Sequence, residues 1–289
     1  MASNGNEALP RELPQIVQAL EAIYNPRSSN EVRHEATVFL EQAKTSPDAL
    51  SHGFTLASDS SKDGILRHFG LSMMVFTLEH NYPAGKEDLL REQVLHLAQS
   101  ISLQDAPFLR NKTAQVWCLV AKRIWGRQWL DMDEQLSRLW EASFTHQEFV
   151  LIILETLSDD IFNREDYAAG LRQDLGSTMA RICVTSSIAQ EAASLGDDLI
   201  HLRYGEEGWL QRLGEYLKWC LDRIEQQGEQ LHPCIIKTLT TLGSMSCWIN
   251  PKALPNSTYV EHVRYALVVG DASIRTVGVN PNPNCYWTF

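Results

Sequence analysis

The residues best suited to chemistry lie in "AKRIWGRQWLDM", Ala121 to Met132, where Lys122, Arg123 and Arg127 alternate with Trp125 and Trp129. Tryptophan faces stack on bases and cations neutralise phosphates, so the mixture has the ingredients of a strand-binding platform. The same residues suit a corner between two helices, with Gly126 as the break and the indoles as the clamp. Spacing favours the corner: Trp125 closes one helix, Gly126 breaks it and Trp129 begins the next, with cations in a last turn where the helix dipole welcomes them.

Other chemistry finds little support in the residue pattern. No G-x-x-x-x-G-K-[ST], G-x-G-x-x-G or G-x-S-x-G occurs, so neither a phosphate cradle nor a nucleophile elbow is predicted. His34-Glu35 begins like a zinc-protease helix, but Val38 stands where the second histidine is needed, so no metal site is expected. The nine histidines are scattered and read as surface or interhelical hydrogen-bonding residues. Glu155, Asp159 and Asp160 cluster at the end of a predicted helix, where the dipole disfavours negative charge. Two readings stand side by side: pairing with nearby Arg164, or an acidic spot for a partner.

These residues need a scaffold, and the chain is long enough to supply one. Its 289 residues are 44% apolar and 21% charged, within the range of globular proteins. No run of about eighteen apolar residues predicts a membrane span, and "MASNGNEALPREL" has neither a basic start nor an apolar core of a signal peptide. The six cysteines lie mostly in apolar stretches with no C-x-x-C pair, which reads as reduced, buried thiols. A formal charge of −11 opposes general nucleic-acid binding and suits a basic protein partner, though a local basic patch is compatible with it.

The apolar spacing is helical nearly throughout. Val32, Ala36, Phe39, Leu40 and Ala43 share one face, as do Leu90, Val94, Leu97 and Ile101, and later Leu210, Leu213, Leu217, Cys220 and Ile224. Phe149 to Ile161 is apolar nearly all round, the mark of a helix sandwiched between neighbours. Breakers recur at intervals of roughly twenty residues, so a helix pair takes about forty, the period of a HEAT or armadillo repeat. The expected fold is all-α, an α-α superhelix of HEAT repeats with about six helical hairpins. The expected organisation is a flexible segment over residues 1–14, repeats over 15–125 and 126–268 with a loop at 194–208, and an irregular tail over 269–289.

Four segments in order carry a resemblance. "NPRSSNEVRHEATVFLEQAK", "ILRHFGLSMMVFTLEHNY", "VAKRIWGRQWLDMDEQL" and "FVLIILETLSDDIF" resemble the N-terminal repeats of the karyopherin-β nuclear transport receptors, the exportin-five branch above all. The second is similar to that family's V-R-H-F-G-L-x-I-L; in the third, Gly126 and Leu130 stand where prolines are usual. "IIKTLTTLGSMSCWI" is a fainter fifth match, with Cys247 in place of an aspartate. The resemblance implies a nuclear export receptor, without catalysis or cofactor, that shuttles between nucleus and cytoplasm. Its implied partners are RanGTP, a protein or structured-RNA cargo, and nucleoporin FG repeats. Carried over by motif, the GTPase-facing helices are Glu31 to Lys44, Gly64 to His80 and Phe108 to Trp125, and the implied contact residues are His34, Arg67, Lys112 and Gln115. A helical-repeat adaptor without any dependence on Ran is the alternative. On this resemblance Thr276 to Phe289 is expected to be non-native sequence ending a truncated fragment, with an open apolar face near Leu239 to Leu267 and poor solubility.

Overall fold

A computed structural model of the chain describes residues 12–163, 169–183, 208–249 and 259–279. Every regular element among them is a helix, in keeping with an all-α HEAT-repeat solenoid. The chain divides into two compact units, residues 1–119 and 120–289.

The first unit contains α1 (Glu12–Tyr24), α2 (Asn30–Thr45), α3 (Ala49–Ser58), α4 (Gly64–His80), α5 (Glu87–Gln99) and most of α6 (Pro107–Ile124). Local signals set the starts. Ser29 caps α2 by accepting the Val32 amide at 3.3 Å, and Asp63 caps α4 by accepting the Ile65 amide at 2.8 Å. Helix α1 packs on α2, and α3 on α4, around a core that includes Ile16, Leu20, Leu40, Leu56 and Met73. The α3–α4 pair approaches closely because both helices carry glycine at the crossing. A Cβ on Gly70 would lie 2.5 Å from the Gly53 carbonyl oxygen and 2.8 Å from the Ala57 nitrogen. That contact explains the glycine in "RHFGL" by packing, since only a residue without a side chain lets two backbones meet so closely.

The second unit contains the end of α6, α7 (Met132–Ala142), α8 (Phe144–Ser158), a π-helical turn (Asp159–Asn163), α9 (Ala169–Cys183), α10 (Trp209–Leu221), α11 (Ile224–Ser246), α12 (Tyr259–Val269) and α13 (Ala272–Val279). Ser143 caps α8 by accepting the His146 amide at 3.3 Å. As its composition predicts, α8 is buried nearly all round, through Phe149, Val150, Leu151, Ile152, Ile153, Leu154 and Leu157, and lies against α7 and α11. Helix α11 is kinked at Gln227 and carries Pro233.

Several boundaries differ from the expectation. Helix α1 begins at Glu12, so residues 12–14 of the segment expected to be flexible are helical. The predicted loop lies outside the described residues except for Gly208. The predicted irregularity from residue 269 does not hold over 272–279, which form α13. The reason is a cap: Asp271 accepts the Ile274 amide at 2.9 Å and the Ser273 hydroxyl at 2.7 Å, so a segment with little apolar periodicity still starts a helix. Cys118, Cys183, Cys220 and Cys234 are free and buried, but Cys247 is disulfide-bonded, contrary to the expectation of reduced thiols; Cys285 lies outside the described residues. A missing C-x-x-C pair cannot exclude a bond, because disulfide partners need only be near in space. Of the two readings given for the histidines, surface or interhelical, His52 is not at the surface: it is buried on α3, with Nδ1 3.5 Å from the Glu12 carboxylate of α1.

Candidate functional site

The even-numbered helices of the first unit position the four residues implied to contact the GTPase. His34 is exposed on α2, while Lys112 and Gln115 are half-buried on α6, one turn apart. None of these three has a hydrogen-bond or ion-pair partner among the described residues. Lys112 is the most informative of them. Burial lowers its proton affinity below that of an ordinary lysine, Glu79 opposes that effect, and the charge of Lys44 adds to it.

Arg67 is placed differently. Its guanidinium pairs with Asp105 and donates from Nε to the Ala57 carbonyl at 3.3 Å, with its side chain 13% exposed. Asp105 also accepts the Ser102 amide at 2.9 Å. Arg67 therefore ties α4 to the end of α3 and to the turn leading into α6. A partner seeking this arginine would compete with a largely buried ion pair.

Two side-chain pairs that the motif comparison did not single out complete this face. His68 lies edge-on to Phe108, centroids 5.4 Å apart, and the Lys44 ammonium sits 5.6 Å from the centre of the Phe69 ring. Burial, and then the charge of Lys112, hold His68 below the usual histidine range. Phe108 is 47% exposed at the start of α6. The sequence signal was available: "RHFGL" places His68 beside Arg67, but nothing local says which of two adjacent residues faces a neighbouring helix.

In the second unit the acidic cluster is assembled by the π-helical turn that follows α8. Glu155 pairs with Lys237 and accepts the Thr240 hydroxyl at 3.4 Å, Asp159 accepts the Ser244 hydroxyl at 2.7 Å, and Asp160 lies 2.5 Å from the Lys122 ammonium. Behind them, Ser158 accepts from the Trp248 indole at 2.6 Å, and its Oγ lies 2.7 Å from that of Ser244, to which its own hydroxyl donates while Ser244 donates to Asp159. The carboxylates so poorly placed for a helix dipole are held by donors from α11 and from the end of α6. Arg164, the partner expected from sequence, lies outside the described residues. A basic partner at this spot would have to displace interactions already made within the chain.

The tryptophan stretch forms a corner. Gly126 has φ +77°, and the Ile124 carbonyl accepts the amides of Arg127 at 3.2 Å, Gln128 at 2.9 Å and Trp129 at 3.0 Å. Trp125 is 3% exposed and Trp129 0%, so neither ring offers a face to a base. One detail is corrected: Trp129 does not begin the next helix, which starts at Met132. Trp129 instead bridges back to Trp125 across the turn.

Among the described residues no group of three or more His, Cys, Asp or Glu could hold a metal ion, and no helix is long and apolar enough to cross a membrane.

Helical hairpins around such a face are the class of structure used by helical-repeat receptors, and comparison with known proteins narrows the class. Residues 106–192 match the family described as Exportin 1-like protein. The chain is similar to Protein MSN5 of Saccharomyces cerevisiae, 29% identical over 257 residues that cover 81% of this chain and 20% of that protein. It is also similar to Exportin-5 of Dictyostelium discoideum, 30% identical over 51% of this chain and 13% of the relative. Exportin-5 of Homo sapiens is 26% identical over 58% of this chain and 14% of the relative. The chain thus spans about a fifth or less of the length of these relatives. These likenesses are to proteins named as exportins and to Protein MSN5, and the matched family model covers residues 106–192 alone.

Proposed function

We propose that the chain acts as a nuclear export receptor that binds RanGTP through the α2, α4 and α6 faces of its first unit and carries a protein or structured-RNA cargo. The observation that carries this reading is the polar state of that face. His34 stands on α2 and Lys112 and Gln115 on α6, without hydrogen-bond or ion-pair partners among the described residues, and Lys112 bears a desolvation cost that Glu79 opposes from a distance and an external acceptor would offset further. Relatives named as exportins support the same assignment. The repeats serve as a binding surface rather than a catalyst, shuttling between nucleus and cytoplasm with contacts to nucleoporin FG repeats on the way.

In this reading Lys112 and Gln115 contact the GTPase, His34 lies at the edge of the contact, and Arg67 supports the face from behind through Asp105. Glu155, Asp159 and Asp160 are a second surface, open to a basic partner able to compete with Lys237 and Lys122. The test is a binding measurement of the full chain with Ran loaded with GTP or with GDP. Selective capture of the GTP form, weakened by Lys112→Gln, is the expected result. Equal binding of both forms, or of neither, would favour a helical-repeat adaptor without Ran dependence.

A further inference from the structure

The first unit carries one basic, partly aromatic patch on a chain whose formal charge is −11. Its members come from three helices: Lys44 from α2, His68 and Phe69 from α4, Phe108 and Lys112 from α6. They are neighbours in space. Lys44 lies over Phe69, His68 meets the edge of Phe108, and the charge of Lys112 is felt at His68 while that of Lys44 is felt at Lys112. The acidic groups nearby are Glu41, which pairs with Lys44 at 2.7 Å, and Glu79, which acts on Lys112 from a distance without forming an ion pair.

Two basic groups have thus been brought together and partly stripped of water, with no hydrogen-bond or ion-pair acceptor among the described residues and only the distant charge of Glu79 to offset that of Lys112. The free chain gains nothing from this arrangement, because each group would be better solvated apart. A complementary anion reverses the sign of both effects. It offsets the mutual repulsion, accepts hydrogen bonds from the ammonium and the imidazolium, and leaves Phe108 to cover the apolar stem of the incoming side chain.

We infer that this patch receives a carboxylate from an acidic segment of a partner protein, seated between His68 and Lys112 with Phe108 at its side. Seating the carboxylate transfers one proton from solvent to the imidazole of His68, so that a neutral ring and an anion become an ion pair. Both groups have their proton affinity depressed in the free chain, so the bound anion raises both, and histidine is the one whose charge changes near neutral pH. Binding is therefore tighter in mildly acidic solution and weaker at high salt. The inference rests on reading this face as the one that meets a partner, but it does not require the partner to be Ran.

The test uses the full 289-residue chain, a fluorescent deca-glutamate peptide as probe and a deca-glutamine peptide as control. The expected result is binding of the glutamate peptide alone, about three- to tenfold tighter at pH 6.0 than at pH 7.5, with proton uptake seen by calorimetry in buffers of different ionisation enthalpy. His68→Asn keeps the binding and loses the pH dependence. Lys112→Gln weakens the peptide about three- to tenfold without lowering the melting temperature, because it removes a partly buried charge that has no hydrogen-bond or ion-pair partner among the described residues. The inference is overturned if Lys112→Gln leaves peptide affinity unchanged, if His68→Asn retains the full pH dependence, or if an RNA hairpin displaces the peptide from the patch. Measuring Ran·GTP in parallel separates the two proposals. Ran·GTP bound by the full chain and weakened by Lys112→Gln, with no peptide bound, sinks this inference and leaves the GTPase reading standing; peptide binding with the expected dependence and no Ran·GTP bound does the reverse.

Discussion

The two units spend their polar residues in opposite ways. In the first, the carboxylate of Asp105 is committed to Arg67, yet the side chains of His68, Lys112 and Gln115 have no hydrogen-bond or ion-pair partner among the described residues. In the second, the conspicuous polar groups are engaged within the chain: Glu155 with Lys237, Asp160 with Lys122, Asp159 with Ser244, and the buried Asp133 with the Trp209 indole at 2.6 Å. Both units are built from the same helical pairs, so the difference is not one of fold. The difference lies in which charges are engaged within the chain, and a partly buried charge without an internal hydrogen-bond or ion-pair partner is the one a partner could satisfy most readily.

The comparison can be broken most forcefully at the corner that opens the second unit. Trp129→Ala should destabilise the protein by about 3–5 kcal/mol in urea titrations, as for other fully buried large-to-small changes, while leaving RNA affinity unchanged. An RNA defect with intact stability would restore the stacking platform. The next effect belongs to the spent pair of the first unit. Asp105→Ala leaves the Arg67 guanidinium largely buried without its carboxylate, and about 2–3 kcal/mol of stability should be lost after allowance for the residual solvent around Arg67. Lys112→Gln on the same face should show no such loss, and that contrast is the sharpest form of the distinction between committed and open polar groups.

Gly70→Ala should cost about 1–3 kcal/mol, because the added methyl meets the backbone of α3. A neutral result would mean that the helices can separate without penalty and that the motif glycine serves another purpose. In the acidic cluster, Glu155→Gln should cost about 1 kcal/mol or less, since the pair with Lys237 is partly solvated. A larger loss would make that cluster a structural centre rather than a surface. The smallest effect is a pH dependence confined to α13. Hydrogen bonds from the Ile274 amide and the Ser273 hydroxyl hold Asp271 at about 2, below the ordinary 3.8. The carboxylate's contribution to the helix start is present above pH 3.8 and is lost as pH falls towards 2, so exchange of the Ile274 amide should speed up over that window and Asp271→Asn should abolish the change.

Much of the architecture was legible because helix periodicity and capping are local. The interval over Gly64–His80, the sandwiched character of Phe149 to Leu157 and the break at Gly126 all follow from residue types at fixed spacings. Ends governed by a single hydrogen bond were not legible in the same way. The cap at Asp271 converts a stretch without convincing periodicity into α13. The candidate site was half visible. Spacing alone puts Lys112 and Gln115 on one helix, one turn apart, but the burial of Arg67 and the approach of Lys44 and His68 to Lys112 depend on residues far apart in the chain.

By itself the sequence determined the helical repeats, the corner at Gly126 and the resemblance to nuclear transport receptors, since each rests on residues within one or two helices of one another. Only the tertiary structure decided which charges are committed and which are open. Arg67 and Lys112 are both cations on helices of the same face; the first meets Asp105, 38 residues along the chain, and the second meets no acceptor among the described residues. That outcome depends on which side chains folding brings within hydrogen-bonding distance, a property of the packed helices that no spacing within a single helix encodes.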